Sequence, residues 1–146
     1  MKTKSLVFVT ILILFVAPIL LADDYKKEFP VEEAMKAYCA TWFVETGLIQ
    51  HKLVNNNDGT WGLYHKDAEK PNYSGTFIIK KSWKDSEGNT WLIVWLSYPE
   101  GPWSLNKISE DGNVSERIHR SIRDNLPAEI DPKDGSYAKF ILKKKE

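Results

Sequence analysis

From residue 38 onward, short runs of aromatic and β-branched residues alternate with sharp turn signals. The clearest signal is Asn-Asp-Gly at 57–59, which lies between the apolar runs 49–54 and 60–65. Asp-Gly between two such runs is a strong hairpin signal. Similar turns recur at 85–89 and 110–113. The pattern predicts eight strands, at 40–45, 49–54, 60–65, 73–84, 90–98, 103–109, 114–121 and 137–143.

Strands joined by tight turns are expected to lie next to one another in space. The simplest arrangement is an up-and-down antiparallel meander, and about eight strands close naturally into a barrel, which removes exposed sheet edges. We therefore predict a mainly β fold, an eight-stranded antiparallel up-and-down barrel. A sandwich is the alternative, and it would need more long crossover connections.

A short helix is expected in front of the barrel. Pro30 opens the segment 31–37, whose first turn carries Glu32 and Glu33. Proline at the start of a helix and acids in its first turn both favour a helix N-terminus. A helix of about two turns could close one end of the β structure.

The segment 114–126 fits two kinds of structure. Its apolar residues recur at intervals of four, as on one face of a helix; they are Val114, Ile118, Ile122 and Leu126. The first three also suit a strand. The Asp-Gly turn in front of the segment favours a strand to about Arg120.

Alternating apolar positions indicate which side chains share a face of a strand. In the run 73–84, Phe77, Ile79 and Trp83 are expected on one face. The run 91–96 is apolar at every position, so it has two apolar faces. One face can fill the interior, and the other must meet the helix, a long loop or a partner subunit. We favour cover by another part of the chain.

The N-terminus has the pattern of a secretory signal peptide. Two lysines precede a run, 6–21, that is almost wholly apolar, and Ala22 offers a small residue for cleavage. A membrane anchor is the alternative, but a spanning helix needs about 20 apolar residues and this run is shorter. We expect a signal peptide at 1–22, one domain at 23–146, and a secreted or periplasmic protein without a membrane span.

Charge and cysteine content exclude several classes of protein. The whole chain has a formal net charge of +0, and loss of the two leader lysines leaves about −2. A nucleic-acid ligand would need a concentrated basic face, whereas the lysines are scattered, so we expect no nucleic-acid partner. Cys39 is the only cysteine, which excludes an internal disulfide. We favour a small buried apolar role for it; an intermolecular disulfide or a reactive thiol is the alternative.

No catalytic constellation is recognisable in the chain. His51, His65 and His119 lie in three separate predicted strands, and most carboxylates lie in turns, where they favour turn geometry. A general acid–base pair would need a carboxyl group held in an apolar pocket. We therefore expect a non-catalytic protein with no cofactor and no metal. An enzyme would require a histidine or carboxylate that points into a cavity.

The six tryptophans are the one feature with functional promise. An eight-stranded barrel has an interior just wide enough to fill with side chains or to hold one small ligand, and aromatic walls are typical of such sites. We predict a binding module for a small hydrophobic or amphipathic molecule. Its predicted lining residues are Trp61, Leu63, Phe77, Ile79, Trp91, Ile93, Trp95 and Trp103. The alternative is a protein-interaction or inhibitor scaffold, with a protein partner or a homodimer, that uses the barrel loops or the apolar strand 91–96.

Five segments carry a shared set of short motifs, and they lie at 40–42 (Ala-Thr-Trp), 57–61, 82–91, 106–113 and 129–132. Together they resemble bacterial secreted lipocalin-like, or calycin-type, domains, and the likeness covers most of 38–143. The resemblance implies an eight-stranded barrel entered by a short helix, with Trp42 closing its floor. It also implies a late arginine over that tryptophan, where a cation–π contact is favourable, and Arg117 and Arg120 are both candidates. Ala40 stands where the wider lipocalin pattern has glycine.

Overall fold

The computed structural model describes residues 26–98 and 101–142. The predicted signal peptide therefore lies outside the described residues. Within them, no helix has both the length and the apolar character that crossing a membrane would require.

The described residues form a closed antiparallel β-barrel, preceded in the chain by one short helix, α1 (Val31–Tyr38). The barrel strands are β2 (Thr41–Thr46), β3 (Lys52–Asn55), β4 (Thr60–Tyr64), β5 (Tyr73–Lys84), β6 (Thr90–Leu96), β7 (Trp103–Ile108), β8 (Val114–Arg120) and β9 (Ala138–Leu142). Successive strands pair, and the β9–β2 pairing closes the cylinder. A two-residue strand, β1 (Lys27–Glu28), adds to the end of β5. The predicted barrel is confirmed, and the sandwich is excluded.

Aspartates in the turns explain why the chain reverses where the sequence predicts. The Asp58 carboxylate accepts hydrogen bonds from the Thr60 amide at 2.9 Å and from the Thr60 hydroxyl at 2.6 Å. Asp85 accepts from the amides of Glu87 and Asn89, both at 2.9 Å. These local bonds stabilise a tight turn at the start of each hairpin.

Helix α1 closes one end of the barrel, which we call the floor. Its buried residues are Ala34 and Tyr38, which pack in the interior. The Tyr38 carbonyl accepts hydrogen bonds from the Trp42 indole and from the Asn55 amide, each at 3.1 Å. These bonds tie the end of α1 to the first residues of β2 and the last residue of β3. The predicted short helix is confirmed, and Trp42 is buried beside it.

Both faces of β6 are covered, as its apolar sequence requires. Thr90, Leu92 and Val94 point into the barrel, while Trp91 and Ile93 point outward. The long segment 121–137 lies over the outward face and contributes Leu126, Ile130 and Tyr137 to an outer cluster with Trp83, Trp91, Leu105 and Ile118. Cover by a loop of the same chain, the arrangement that we favoured from sequence, is what the structure shows.

A bulge in β5 corrects one assignment of faces. The register with β6 shifts between Ile79 and Lys81, so the extra residue Lys80 reverses the alternation beyond it. Ser82 then faces the interior, and Trp83 faces outward. The prediction that Trp83 shares a face with Ile79 is therefore wrong, because a strict period of two does not survive an inserted residue.

The segment after the turn at 110–113 is a strand. β8 runs to Arg120 and is followed by a single 3-10 turn at Arg123–Asn125. The strand interpretation of 114–120 is thus confirmed. Val114 and Ile118 lie in the strand, whereas Ile122 and Leu126 lie in the segment that follows it, so their spacing of four does not indicate a helix.

Candidate functional site

The end of the barrel opposite α1 contains a cavity of about 130 Å³, which we call the mouth cavity. Loops and strand ends form its rim, and inward side chains of β4, β6 and β8 line its inner part. The lining residues are Leu48, Gln50, Trp61, Leu63, Tyr73, Leu96, Tyr98, Arg117 and His119.

One side of the mouth cavity is apolar and aromatic. Trp61, Leu63 and Leu96 form this wall, and all three are buried. The Trp61 indole donates a hydrogen bond to the Thr76 carbonyl at 3.1 Å, which fixes the plane of the ring. Tyr98 meets Trp61 edge to face, with the ring centroids 6.0 Å apart. The Trp61 ring is therefore held in place by a backbone hydrogen bond and by its contact with a second lining residue.

The opposite inner wall, formed by β7 and β8, is polar. Ser104 and Asn106 point inward from β7, and each is 0% exposed. Their cross-strand partners are His119 and Arg117 respectively. The Asn106 amide donates to the Ser104 hydroxyl at 2.8 Å. Polar side chains on the inside of a barrel are unusual for a packed core, because burial without a partner is unfavourable.

Arg117 is the charged residue of this wall, and it is only 4% exposed. Its Cζ atom lies over the Phe140 ring, 4.5 Å from the centroid. None of the ion pairs among the described residues involves Arg117. Burial lowers the pKa of its guanidinium, yet an arginine keeps its charge in proteins. The interior therefore holds a cation with no carboxylate partner from the described part of the chain.

Four buried polar atoms, one of them in Arg117 itself, have no partner in hydrogen-bond geometry within the described chain. They are the Tyr38 hydroxyl, Asn55 Oδ1, Asn106 Oδ1 and Arg117 Nε. Burial raises the pKa of Tyr38, whereas the Arg117 charge and the nearby side chains of Arg117 and Asn55 lower it, so these three groups lie beside one another. Buried polar atoms are almost always hydrogen-bonded in folded proteins. Arg117 is the one residue of this set that lines the mouth cavity, so an acceptor group in that cavity would be stabilised by its guanidinium.

His119 is neutral in the folded protein. Burial, followed by the nearby Arg117 charge, lowers its pKa from 6.5 to about 3. Its Nδ1 atom lies 3.2 Å from the Gly101 carbonyl oxygen. A carbonyl oxygen can only accept, so Nδ1 carries the hydrogen and Nε2 is left as an acceptor. With so low a pKa, this imidazole is a weak general base near neutral pH.

The residues predicted to line the lumen divide between the two faces. The structure places Trp61 and Leu63 in the mouth cavity, and Phe77 and Ile79 deeper on the inner face. It places the other four on the outer face: Trp91, Ile93, Trp95 and Trp103. The predicted lumen position of these four is wrong. On this side the 121–137 segment covers Trp91 and Ile93, and the Arg123 guanidinium lies over the Trp103 ring, 5.7 Å from its centroid.

The two candidate arginines also divide. Arg117 faces the interior, whereas Arg120 faces outward and forms an ion pair with Asp134. The ring beneath the Arg117 guanidinium is that of Phe140, and Trp42 closes the floor through its bond to the Tyr38 carbonyl. Arg120 is thus not a residue of the barrel floor, because β8 alternates and carries it on the opposite side.

The remaining candidate residues lie away from the mouth cavity. His51 and His65 are exposed, and the described residues contain no cluster of three or more metal-ligating side chains. Cys39 is half-buried against the inner core, and burial raises the pKa of its thiol to about 11. A thiol with so high a pKa is a poor nucleophile.

A second cavity, of about 310 Å³, lies on the outer face beneath the 121–137 segment. Its aromatic floor is Trp83 and Trp91, each with a lysine ammonium above the ring, Lys26 at 5.4 Å and Lys107 at 5.5 Å. Three of its acidic groups are already bonded within the chain: Asp85 accepts from the Trp91 indole at 2.8 Å, Glu87 from the Asn89 amide and Glu116 from the Tyr137 hydroxyl. This groove is larger than the mouth cavity, but among the residues that the structure describes, none of the buried atoms without a hydrogen-bond partner lies in it.

Sequence reasoning missed the polar inner wall. The signal was present in β8, where Ser115, Arg117 and His119 alternate with Glu116 and Ile118. On sequence alone, the apolar residues of these strands are assigned to the interior. The polar inner face is therefore overlooked, because the sequence does not show that the 121–137 segment covers the outer face.

No family model, no curated protein and no solved structure matches this chain.

Proposed function

We propose that this chain is an exported, non-catalytic, lipocalin-like barrel domain that binds a small hydrophobic or amphipathic molecule in the mouth cavity. The observation that carries the proposal is the cavity itself, which lies inside a closed barrel and has one apolar wall and one polar wall. Ligand sites are typically concave and mostly apolar, with a few polar groups that orient the ligand.

The two walls suit a molecule with two kinds of surface. Trp61, Leu63 and Leu96 offer apolar contact, which is favourable by about 25 cal/mol for each Å² removed from water. Arg117 and His119 lie across from them and supply a charge and a neutral acceptor. A ligand with an apolar body and a polar end satisfies both sides at once.

The scaffold alternative has less support from the contacts. The outward side chains Trp91 and Ile93 already pack against Leu126 and Ile130 of the same chain. That face of the 91–96 strand is therefore largely occupied, and the mouth cavity is the better supported site.

Binding can be tested with iodobenzene, a compact neutral molecule that quenches tryptophan fluorescence on contact. We expect saturable quenching in the native protein, because Trp61 lines the cavity. The Leu63→Phe variant adds bulk inside the cavity and should weaken the affinity by at least about tenfold. The matched control is Ile78→Phe, whose site is 49% exposed on the outer side of β5 and should leave the affinity unchanged.

Two results would count against the proposal. One is quenching of the native protein that rises linearly with concentration, as in random collision. The other is an equal affinity in Leu63→Phe and the native protein, with circular dichroism showing that both are folded.

Export rests on the sequence of the leader and has a separate test. We expect the protein recovered from the periplasm or the medium to begin at or within a few residues of Asp23, since Ala22 offers the small residue at the cleavage point. Intact mass spectrometry measures this directly. A full-length mass in the cell-associated fraction alone would contradict it.

A further inference from the structure

We propose that the natural ligand of the mouth cavity is a compact organic acid whose carboxylate pairs with Arg117. The inference rests on the proposed binding function and adds the chemical class of the ligand. It stands on the charge, the hydrogen-bonding state and the size of the site.

The charge of the cavity is uncompensated by its own walls. Arg117 is 4% exposed, and none of the nine lining residues is acidic. The other titratable group on this wall, His119, is neutral because its pKa is about 3. A buried cation without a carboxylate partner is unfavourable in the empty protein, and a ligand anion would relieve that penalty. A second cation or a purely apolar ligand would not.

The unmet hydrogen bonds point to the same ligand class. Arg117 Nε is a buried donor with no acceptor in hydrogen-bond geometry among the described residues, although the neighbouring Tyr38 hydroxyl favours the charged form of the guanidinium. A guanidinium presents its N–H groups as a planar fork, which matches the two oxygens of a carboxylate. Arg117 is the one member of the unbonded group that lines the mouth cavity. The carboxylate is therefore expected at the Arg117 end, with the apolar body against Trp61 and Leu63.

The size of the cavity restricts the acid to a small one. The mouth cavity has a volume of about 130 Å³, and an apolar protein cavity of about 150 Å³ holds one benzene molecule. An acid with a single ring or a short chain fits this space. A long-chain acid would leave most of its length beyond the rim formed by Tyr73 and Tyr98.

A structural role for Arg117 makes a different prediction. If the guanidinium served mainly to pack on Phe140, its removal would destabilise the empty protein. If it serves a ligand, an apolar side chain of similar length should leave the empty protein as stable or make it more stable, as happens when buried charges are replaced by apolar residues.

The test compares benzoate with benzamide, which has nearly the same shape and no charge. Isothermal titration calorimetry at neutral pH should show benzoate binding about 10- to 100-fold more tightly than benzamide, the range expected for hydrogen bonds to a charged group. The Arg117→Met variant should lose this preference while its urea midpoint stays equal or rises. The matched control is Arg123→Met, an exposed arginine outside the cavity, which should keep the preference. Palmitate should bind more weakly than benzoate.

Each failure identifies the claim that is wrong. Equal binding of benzoate and benzamide by the native protein would overturn the acid assignment, and this comparison holds even if Arg117→Met does not fold. A preference for benzoate that persists in Arg117→Met, or tighter binding of palmitate, would overturn the role of Arg117 or the size limit. If iodobenzene binds saturably but benzoate does not, the proposed function stands and this inference fails. If no compound binds, both fail.

Discussion

Trp83 and Trp91 are cross-strand partners whose indole rings stack on the outside of the barrel, with centroids 6.0 Å apart and planes 9° apart. They are 7% and 9% exposed. The Trp91 indole donates to the Asp85 carboxylate at 2.8 Å, which ties the stack to the neighbouring turn. The pair anchors a second core between the barrel wall and the 121–137 segment.

Removing one ring of this stack should destabilise the fold without affecting the mouth cavity. We expect Trp83→Ala to lower the free energy of unfolding by about 3–5 kcal/mol, as for other buried tryptophans. Ile78→Ala, at an exposed site on the outer side of the same strand, should cost less than about 1 kcal/mol. Urea unfolding followed by circular dichroism measures both. Equal effects of the two changes would show that the outer cluster adds little stability.

Gly47 and Gly112 both have a left-handed backbone, but a side chain would meet neighbouring atoms only at Gly47. Comparing the two therefore distinguishes the cost of a steric clash from the cost of backbone strain. Gly47 has φ of 94° and Gly112 has φ of 71°. A Cβ atom at Gly47 would collide with the Tyr137 carbonyl oxygen and lie 2.7 Å from Ala138 Cα, whereas one at Gly112 meets nothing within 4 Å. Gly112→Ala should therefore cost only the strain of about 1–2 kcal/mol, and Gly47→Ala clearly more. Similar urea midpoints for the two variants would contradict the close approach of β9 to residue 47.

The ion pair between Arg120 and Asp134 should stabilise the 121–137 segment, which lies over the outer face of the barrel. Arg120 and the hydroxyl and amide of Ser136 hold the pKa of Asp134 below its usual range. A lowered pKa means that the stabilisation is present above the pKa of an unfolded aspartate, about 3.9, and is lost as the pH falls through the folded value. We expect Asp134→Asn to cost about 1–3 kcal/mol at pH 7.

An exposed pair provides the control for this charge. Glu33 and Lys36 on α1 form an ion pair at 2.6 Å with exposed side chains, so Glu33→Gln should change stability by less than about 0.5 kcal/mol. Urea unfolding at pH 7 and pH 3 compares the two variants with the native protein. A loss in Asp134→Asn that is no larger than in Glu33→Gln would rule out a stabilising role for the Arg120 contact.

His119 should make the fold sensitive to mild acid. Its pKa is about 3 in the folded protein, against 6.5 ordinarily, so the unfolded chain takes up the proton first as the pH falls. The stability that this residue contributes is complete above about pH 6.5 and declines toward pH 3, by up to about 1.4 kcal/mol for each pH unit. In His119→Gln, the fall in unfolding free energy between pH 7 and pH 4 should be smaller. Parallel pH profiles for the two proteins would contradict a part-buried imidazole that is neutral in the folded protein.

Local sequence signals predicted most of the fold. The Asp-Gly turns at 58 and 111 form hairpins through side-chain bonds to residues two positions on, and Pro30 precedes the helix. These signals act over a few residues, so sequence pattern alone reveals them. The closed barrel follows because each strand pairs with the next.

The site could be predicted only in part, because its composition depends on distant contacts. Trp61 and Leu63 alternate in a strand with a polar outer face, and the structure places both in the cavity. On β7 the same reasoning fails. Leu105 is buried on the outside, under the 121–137 segment, and this leaves Asn106 for the inside. Whether an apolar face is inner or outer depends on a loop about twenty residues away along the chain, and periodicity does not contain that information.

The central claim is that ligands bind inside the barrel, and the indole N–H signals of the six tryptophans test it most directly. Nitrogen-15 NMR spectra during a titration with benzyl alcohol, with signals assigned by single Trp→Phe changes, distinguish the two cavities. We expect the Trp61 signal to shift with saturation while the Trp83 and Trp91 signals stay in place. Saturable shifts of Trp83 and Trp91, with Trp61 unchanged, would place binding in the outer groove and contradict the account.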